Sequence, residues 1–251
     1  MQHLQRKPVF LPEQLGELNP AQVPKHVAII PDGNRRWARK SDLDLEKGHQ
    51  RGAQMLRDIV QAASELGIEV VTLYSFSTEN WRRSPEEVEC LMELLKVNLI
   101  QCREELQEFG VRLEVIGDLT GLPPEILPLI EQAKTIGRDN DKITLVLAIN
   151  YGSRDEIRRA VVKIAGKVAE GAISPDAITE QTIAGHLDTA PWGDPELFIR
   201  TSGEMRVSNF LLWQICYSEI YVTDVLWPDF TPGHLLKAVQ VYQHRQRRLG
   251  K

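Results

Sequence analysis

Six short runs of apolar residues alternate with longer segments of helical periodicity along the chain. The runs cover residues 26–31, 69–76, 111–116, 143–149, 197–200 and 219–223. Because they are nearly continuous in Val, Ile and Leu, they are typical of strands that are buried on both faces of a parallel sheet. The pattern predicts a single α/β domain with a mainly parallel six-stranded sheet flanked by helices.

Two long helices are predicted between these runs. The sequence Ser84-Pro85-Glu86-Glu87 is typical of an N-cap, a first-turn proline and an acidic first turn, and it predicts a helix over 85–109. A second helix is predicted over about 48–66, because Gly67 is a helix stop. The apolar stripe of the 85–109 helix indicates core packing, and a ligand wall is the alternative.

Polar or glycine-rich residues follow most of the predicted strands. In parallel sheets, ligands bind beyond the carboxyl ends of the strands, so these residues are expected to converge on one edge. They are Asp32, Ser77-Thr78-Glu79-Asn80, Gly117-Asp118, Asn150-Tyr151-Gly152 and Arg200-Thr201-Ser202-Gly203.

Residues 26–38 combine the first strand run with a turn and two arginines. Asp32, Gly33 and Asn34 follow the apolar residues, and Arg35 and Arg36 come next. Unpaired N–H groups at the start of a following helix attract anions. A carboxylate beside them repels phosphate unless Mg²⁺ lies between the two, so the pattern indicates a metal-bridged diphosphate. A surface turn with a helix N-cap is the alternative.

Two further loops place arginines beside hydroxyl groups at strand ends. Residues 77–83 read STENWRR and residues 200–209 read RTSGEMRVSN. The planar guanidinium matches phosphate oxygens, and Ser or Thr adds a short donor. Each loop alone is also compatible with a solvated surface, but three such loops at one edge favour a polyphosphate site. The arginines near Glu79 and Glu204 indicate ion pairing rather than an acid/base pair.

Composition narrows the function class. The 251 residues carry a formal net charge of −5, and this charge argues against general nucleic-acid binding. The sequence contains neither GxxxxGK[ST] nor GxGxxG after a strand, and their absence argues against a kinase or dehydrogenase. The sequence contains no apolar run long enough to predict a membrane span.

Residues 1–24 are expected to form a loosely packed arm without a signal peptide, before a domain over 25–251. Cys90, Cys102 and Cys216 lack metal spacing and are expected to be reduced, mostly buried thiols of a cytoplasmic protein.

Several ordered motifs resemble those of the cis-prenyltransferase (isoprenyl transferase) family, bacterial undecaprenyl diphosphate synthases in particular. The resemblance extends from about residue 26 to residue 250. Its motifs are Asp32-Gly33-Asn34-Arg35-Arg36-Trp37-Ala38, Gly48-His49, Ser77-Thr78-Glu79-Asn80-Trp81, Arg200-Thr201-Ser202-Gly203-Glu204 and Ser208-Asn209-Phe210-Leu211-Leu212-Trp213-Gln214.

The resemblance implies that isopentenyl diphosphate adds to an allylic diphosphate, commonly farnesyl diphosphate, to make a long-chain cis-polyprenyl diphosphate such as the undecaprenyl lipid carrier for cell-wall precursors. A short-chain product is an alternative. Asp32 would hold Mg²⁺, joined by Glu219, and Asn80 is a catalytic candidate that we interpret as an orienting partner, because a neutral amide is a weak base. The implied substrate-binding residues are Gly33, Asn34, Arg35, Arg36, Trp37, His49, Ser77, Thr78, Glu79, Trp81, Arg83, Arg200, Arg206, Val207 and Ser208.

Within that set the resemblance implies separate tasks. Residues 33–36 and His49 would hold the allylic diphosphate, and Arg200, Arg206 and Ser208, assisted by Arg83, would grip isopentenyl diphosphate. Trp37, Trp81 and residues 77–79 would line the substrate pocket. The family also implies an apolar tunnel between the sheet and the two long helices.

The resemblance further implies a homodimer, with residues 209–222 at the interface and Arg247-Arg248-Leu249-Gly250 reaching across it. It also implies peripheral membrane contact for product release.

In one respect this chain departs from the family. Where many relatives have an arginine four residues before the motif histidine, it has Leu45. Arg35, Arg39 or Lys47 is expected to replace that charge.

Two other classes of function stay open on the sequence. One is a non-catalytic subunit of a heteromeric prenyltransferase, which should lack the motif aspartate that this chain keeps as Asp32. The other is an unrelated phosphate-binding enzyme or phosphatase, which needs no apolar tunnel.

Overall fold

A computed structural model describes residues 7–245, the side chain of residue 104 excepted. Within that range all six predicted strands form, and every neighbouring pair is parallel. The prediction of a mainly parallel six-stranded sheet is therefore confirmed. The strands are β1 (His26–Ile30), β2 (Val70–Ser77), β3 (Val111–Ile116), β4 (Ile143–Tyr151), β5 (Leu197–Arg200) and β6 (Glu219–Val222), in the order β3-β4-β2-β1-β5-β6.

Helices cover both faces of this sheet. The helix predicted over 85–109 has those bounds, and the Oγ atom of Ser84 accepts the N–H of Glu87. The other long helix begins at Leu45, three residues before the predicted start, and ends at Gly67 with a left-handed backbone. The helices are α1 (Pro12–Gly16), α2 (Asn34–Lys40), α3 (Leu45–Leu66), α4 (Pro85–Phe109), α5 (Ile126–Ile136), α6 (Ser153–Ala169), α7 (Glu180–Ala184) and α8 (Pro232–His244).

Alternate side chains of the central strands enter two separate cores. Val27 and Ile29 of β1 face a core that includes residues of α3, α4, α5 and α8. Ala28 and Ile30 face the opposite core, which Phe210 and other residues of the 210–215 segment complete. Since both faces are buried, the continuous apolar runs are explained.

The N-terminal segment is packed more tightly than the sequence indicated. Phe10, Leu18 and Val23 are buried in the first core. The carboxylate of Glu65 in α3 accepts the N–H groups of Val9 at 2.9 Å and Phe10 at 3.2 Å. The expectation of a loosely packed arm is therefore wrong for this part of residues 1–24. The domain boundary after residue 24 stays a prediction.

Two features bear on the environment of the protein. All three cysteines are free, but Cys216 is exposed and the other two are only partly buried, so the expectation of mostly buried thiols is wrong. Among the described residues, no helix combines the length and apolar character needed to cross a bilayer.

The order of the strands places a crevice between β1 and β5. From β1 the chain continues to β2 on one side, whereas from β5 it continues to β6 on the other side. At such a switch point the two connections diverge and leave space beyond the carboxyl ends of the strands, which is where ligands bind in α/β sheets. Asp32 and Arg200 lie at this position.

Candidate active site

The polar loops predicted to meet at the carboxyl edge of the sheet do meet there. The Oγ1 atom of Thr201, after β5, donates to the carbonyl of Asp32, after β1, at 2.7 Å. The indole N–H of Trp81, after β2, donates to Oδ1 of Asn150 at 2.8 Å, and the amide of Asn150 donates to the carbonyl of Asp118 at 2.6 Å. Because Asn209, after β5, also donates to Glu79, after β2, at 2.9 Å, loops from five strands form one connected polar surface.

Arg200 is the centre of a group that we call the buried arginine cluster, made of Asp32, Arg200 and Ser208. Only 3% of Arg200 is exposed. Its guanidinium donates to Oδ2 of Asp32 at 2.9 Å, to Oγ of Ser208 at 2.8 Å and to the carbonyl of Arg206. Its Nε atom is buried without a partner. A charge this deeply buried is tolerated because a carboxylate is held against it.

Arg36 and Arg206 extend the positive charge from this cluster toward solvent. The guanidinium of Arg36 donates to the carbonyl and the hydroxyl of Ser202. It also lies 3.3 Å from a carboxylate oxygen of Glu204 and 3.7 Å from Oδ1 of Asp32. Since Glu204 pairs with Arg206 as well, the predicted ion pairing of Glu204 is confirmed.

The start of α2 is shaped by Gly33 and Asn34. Gly33 has φ +113°, which strains any residue with a side chain, and a Cβ atom there would crowd Leu226 at 3.0 to 3.1 Å. Oδ1 of Asn34 is buried without a hydrogen-bond partner. A Cβ atom at Gly52 would lie 2.5 Å from this oxygen. The turn therefore brings backbone and amide groups close to the cavity described below.

A second charged group, the exposed arginine cluster, consists of Arg35, Arg83 and Glu87. One carboxylate oxygen of Glu87 lies 2.7 Å from Arg83 and 3.4 Å from Arg35. His49 of α3 lies close to the cluster, and its pKa is lowered to about 4, mainly by burial and also by the charges of Arg83 and Arg35, with Glu87 opposing them. The imidazole is therefore neutral at pH 7.

The turn after β2 is organised by Asn80. Its Oδ1 atom accepts the N–H of Ser77 at 3.0 Å, which closes the turn. An amide oxygen has a second lone pair, so both this oxygen and the NH₂ group of Asn80 can still contact a ligand. The geometry favours an orienting role over that of a base.

An apolar cavity of about 190 Å³ lies between the sheet and the two long helices. Pro31, Asn34 and His49 line it next to the polar edge. The tunnel implied by the sequence resemblance has its counterpart here. Its apolar wall includes Ala53, Leu56 and Val60 of α3, Leu91, Leu95 and Leu99 of α4, and Leu73, Leu113 and Leu147 of the sheet.

Comparison with known proteins places these features in a family. Residues 30–250 match the family described as putative undecaprenyl diphosphate synthase. Isoprenyl transferases of Agrobacterium fabrum and Chlamydia abortus are 49% and 50% identical to this chain, and each alignment covers at least 92% of both sequences. The chain belongs to the cis-prenyltransferase family. It is therefore a prenyltransferase enzyme.

Two solved structures share the fold of this prenyltransferase. Lavandulyl diphosphate synthase from Lavandula x intermedia, in complex with dimethylallyl diphosphate, superposes with a TM-score of 0.89 at 38% identity and covers 92% of this chain and 100% of its own. A probable undecaprenyl diphosphate synthase from Campylobacter jejuni gives 0.76 at 32% identity, covering 91% and 99%. The fold predicted from the sequence is thus confirmed.

Glu219 does not meet Asp32 within one chain of the prenyltransferase. It is the first residue of β6, in register with Leu197 at the amino end of β5, whereas Asp32 follows the carboxyl end of β1. Its carboxylate instead accepts a hydrogen bond from Arg245 at 2.9 Å. The expectation that the carboxylates of Asp32 and Glu219 hold one metal is therefore wrong within a single chain, because the two residues lie at opposite ends of the strands.

Two tryptophans and the loop after β2 lie outside the apolar cavity. Trp37, Trp81 and residues 77–79 are not among its lining residues, and their place in the substrate pocket stays a prediction. The indole of Trp37 donates to Asp229 at 2.8 Å, and that of Trp81 is held by Asn150. Glu79 accepts a hydrogen bond from the amide of Asn209 at 2.9 Å. Within the described part of the chain, Glu79 forms no ion pair, so its predicted ion pairing is wrong.

The proposed interface segment divides into two parts. Phe210, Leu211 and Ile215 are buried inside the chain, whereas Tyr217 and Ile220 are exposed. The tail motif over 247–250 lies outside the described residues.

Sequence reasoning missed the roles of Glu87 and Ser202. The sequence pattern indicates only a helix-start acid at Glu87, although its position four residues after Arg83 is typical of a helical ion pair. Ser202 has φ +75° and accepts Arg36 with two of its oxygens. No pattern in the sequence indicates that pairing, because the two residues are 166 positions apart.

Proposed function

We propose that this prenyltransferase condenses isopentenyl diphosphate with an allylic diphosphate, with farnesyl diphosphate as the expected primer. The product is a long-chain cis-polyprenyl diphosphate such as undecaprenyl diphosphate, the lipid carrier for cell-wall precursors. One observation carries the proposal: two groups of arginines lie at the switch point of the sheet, directly beside an apolar cavity. A substrate with a diphosphate head and a hydrocarbon tail matches both halves.

The buried arginine cluster is the site proposed for isopentenyl diphosphate. Arg200 and Ser208 are already aligned by their mutual hydrogen bond, and Arg206 is exposed beside them. Val207 is partly buried against the second core, which anchors the loop that carries these donors. Arg83 assists from the exposed arginine cluster. Fixing the nucleophile in this way reduces the entropy lost in reaching the transition state.

The start of α2 is the site proposed for the allylic diphosphate. Gly33 and Asn34 place the first turn of α2, whose backbone N–H groups have no intrahelical partner, at the mouth of the cavity. Arg35, Arg36 and His49 supply side-chain donors. The allylic tail then extends into the cavity between α3 and α4, whose wall is largely apolar.

Arg35 is the proposed replacement for the cation missing at Leu45. Its charge is close enough to His49 to lower the pKa of that imidazole. Its present partner, Glu87, lies at 3.4 Å, so phosphate can displace a weak ion pair. By contrast, the ammonium group of Lys47, another candidate, donates to Gln50 at 3.2 Å.

The donor set around Asp32 fits a Mg²⁺ ion that is shared with substrate. The described residues contain no group of three metal-ligating side chains, but Mg²⁺ is commonly held by one or two carboxylates with phosphate and water. Asp32 is partly exposed and lies at the switch point, so its carboxylate can provide that ligand. Bound there, the ion would neutralise negative charge on the leaving diphosphate.

The proposed reaction needs one C–C bond to form as the allylic C–O bond breaks and a proton leaves. The vinyl carbon of isopentenyl diphosphate attacks the allylic carbon, and Arg35, Arg36 and His49 stabilise the departing diphosphate. That diphosphate is a better proton acceptor than the amide of Asn80. We therefore expect Asn80→Asp to retain turnover and Asn80→Ala to lose it, whereas inactivity of both variants would contradict a purely orienting polar role.

A homodimer is proposed from the exposed part of the 209–222 segment. Tyr217 and Ile220 present apolar surface on or beside β6, an edge strand of the sheet. Light scattering should give twice the mass of the chain. Removal of residues 247–251 should lower activity if the tail completes the partner's site, and full activity would reject that role. Peripheral membrane contact and a cytoplasmic location stay predictions.

The decisive experiment is a product assay. Purified protein is incubated with farnesyl diphosphate, isopentenyl diphosphate and Mg²⁺, and the product is identified by mass spectrometry, with Asp32→Asn as the matched control. We expect elongated cis-polyprenyl diphosphates that depend on Mg²⁺ and on Asp32. A short product would favour a short-chain synthase, and no elongation of any allylic primer would reject the proposal.

A further inference from the structure

The loop that carries Ser208 has an unusual backbone. Ser208, Asn209 and Leu211 have φ values of +48°, +62° and +48°. Residues with a Cβ atom rarely adopt the left-handed region, and such conformations persist where surrounding contacts hold them. The contacts that hold this loop therefore have a direct bearing on where Ser208 points.

Asn209 makes three of those contacts. Its Oδ1 atom accepts the N–H of Arg154 at 3.0 Å, and its carbonyl accepts the N–H of Ser153 at 2.8 Å. Asn209 thus caps the N-terminus of α6 from a different segment of the chain. The hydroxyl of Ser153 in turn accepts the N–H of Leu212 at 2.9 Å, so loop and helix are joined at both Asn209 and Leu212.

The NH₂ group of Asn209 points to the loop after β2. It donates to Oε1 of Glu79 at 2.9 Å. The three segments leave no room at Gly152, where a Cβ atom would lie 2.7 Å from Nδ2 of Asn209 and 2.6 Å from Oγ1 of Thr78. One side chain therefore ties together the loop after β2, the start of α6 and the loop after β5.

We propose that Asn209 is a positioning residue that locks residues 77–83 to residues 200–209. By fixing its neighbour Ser208, it keeps the Ser208 hydroxyl 2.8 Å from Arg200. The inference rests on the proposed function, because it predicts how isopentenyl diphosphate binds. Breaking the lock weakens binding of that substrate while the chemistry of bound substrate is largely kept.

The hydrogen bond between Asn209 and Glu79 can be removed and then restored with donor and acceptor exchanged. Asn209→Asp keeps the acceptor for Arg154 but turns a second carboxylate toward Glu79. Glu79→Gln keeps an acceptor for Asn209. In the double variant, the NH₂ group of residue 79 can donate to the carboxylate of residue 209, so the hydrogen bond is restored.

We expect Asn209→Asp to raise the KM for isopentenyl diphosphate roughly tenfold, since a hydrogen bond to a charged group is lost, with kcat changed by less than about threefold. Glu79→Gln alone should raise KM less than Asn209→Asp does, because the hydrogen bond to Asn209 is kept, and the double variant should return to the level of Glu79→Gln. Asn140→Asp is the matched control. The Asn140 amide donates to the carbonyls of Leu106 and Val111, at the amino end of the sheet, so its loss should lower stability and leave KM unchanged.

Melting temperatures of the same proteins test the lock independently of catalysis. Asn209→Asp should lower the melting temperature by about 2–4 °C, and Glu79→Gln should restore it. If melting shows this rescue but wild-type protein elongates no primer, the proposed function fails and the lock stands. The inference is overturned if Asn209→Asp leaves the KM for isopentenyl diphosphate unchanged in an active enzyme, or if Glu79→Gln rescues neither KM nor melting temperature.

Discussion

The two arginine clusters at the carboxyl edge differ in how firmly their side chains are held before substrate binds. Arg200 is 3% exposed and donates to a carboxylate, a hydroxyl and a carbonyl. The side chain of Arg35 is 44% exposed and shares one carboxylate of Glu87 with Arg83, at 3.4 Å. One guanidinium is held in a single geometry, and the other can move.

This difference indicates how the binding free energy is distributed. Side chains that are ordered during folding lose little further entropy when substrate binds, whereas exposed arginines lose rotamer freedom at that moment. The buried arginine cluster therefore provides position, and the exposed arginine cluster provides charge that adapts. The proposed elongation would need both, because isopentenyl diphosphate is the same in every cycle while the allylic chain grows.

The largest expected effect follows from removing the fork of Arg200. Arg200→Lys keeps the charge but cannot donate to Asp32, Ser208 and the Arg206 carbonyl together. We expect kcat/KM to fall by about 100-fold or more, with the KM for isopentenyl diphosphate raised. Arg158→Lys, on the exposed surface of α6, is the control and should behave as wild type. A less than fivefold loss for Arg200→Lys would show that the cluster is not needed in its present geometry.

Protonation of two histidines gives the next effect. Burial lowers the pKa of both His26 and His49 to about 4, against about 6.5 in the unfolded chain. Between pH 6.5 and pH 4 the unfolded state binds more protons, so the free energy of unfolding falls as the pH is lowered through this window. The loss reaches about 3 kcal/mol per histidine. Denaturant unfolding at several pH values measures it, and a flat profile would contradict the burial of both imidazoles as neutral groups.

The two histidines lie at opposite ends of the strands and can therefore report where an anion binds. His26 bonds to Thr72 and the carbonyl of Gly193 at the start of β1, away from the phosphate loops. Inorganic diphosphate should therefore raise the NMR titration midpoint of His49 and leave that of His26 in place. Equal shifts of both would place the anion elsewhere.

A smaller effect is expected at Arg35. Arg35→Gly should raise the KM for the allylic diphosphate about fivefold, because an exposed charge contributes less than a buried one. The KM for isopentenyl diphosphate should hardly change. Steady-state kinetics with each substrate varied in turn measures this split. An unchanged allylic KM would exclude Arg35 as the replacement for the charge missing at Leu45.

The smallest effect is expected at Glu87, and its sign is opposite. Glu87→Gln removes the carboxylate that competes with phosphate for Arg35 and Arg83. The KM for the allylic diphosphate and, through Arg83, the KM for isopentenyl diphosphate should each fall about two- to threefold. Glu93→Gln, which breaks the exposed pair with Lys96 on the same helix, is the matched control. A higher KM for Glu87→Gln would show that the carboxylate orders the arginines rather than competing for them.

Sequence patterns predicted the strands and their polar ends because each depends on local chemistry. Continuous apolar runs mark buried parallel strands, and the edge at which Asp32 and Arg200 meet follows from strand direction alone. Pairings across the chain could not be predicted in this way. The placement of Glu219 at the opposite edge depends on which end of β6 it occupies, and burial of Phe10 depends on where the N-terminal segment packs. The link between Glu79 and Asn209 depends on a left-handed backbone that no local pattern predicts.

The most direct test is a crystal structure with Mg²⁺, isopentenyl diphosphate and an unreactive thio analogue of farnesyl diphosphate bound together. The diphosphate of isopentenyl diphosphate should contact Arg200 and Ser208 with the Arg200 guanidinium still 2.9 Å from Asp32, while Arg35 leaves Glu87 for the allylic diphosphate. The allylic tail should lie in the cavity between α3 and α4. Isopentenyl diphosphate bound away from Arg200, or an allylic tail outside that cavity, would contradict the proposed division between a pre-built and an adaptable half of the site.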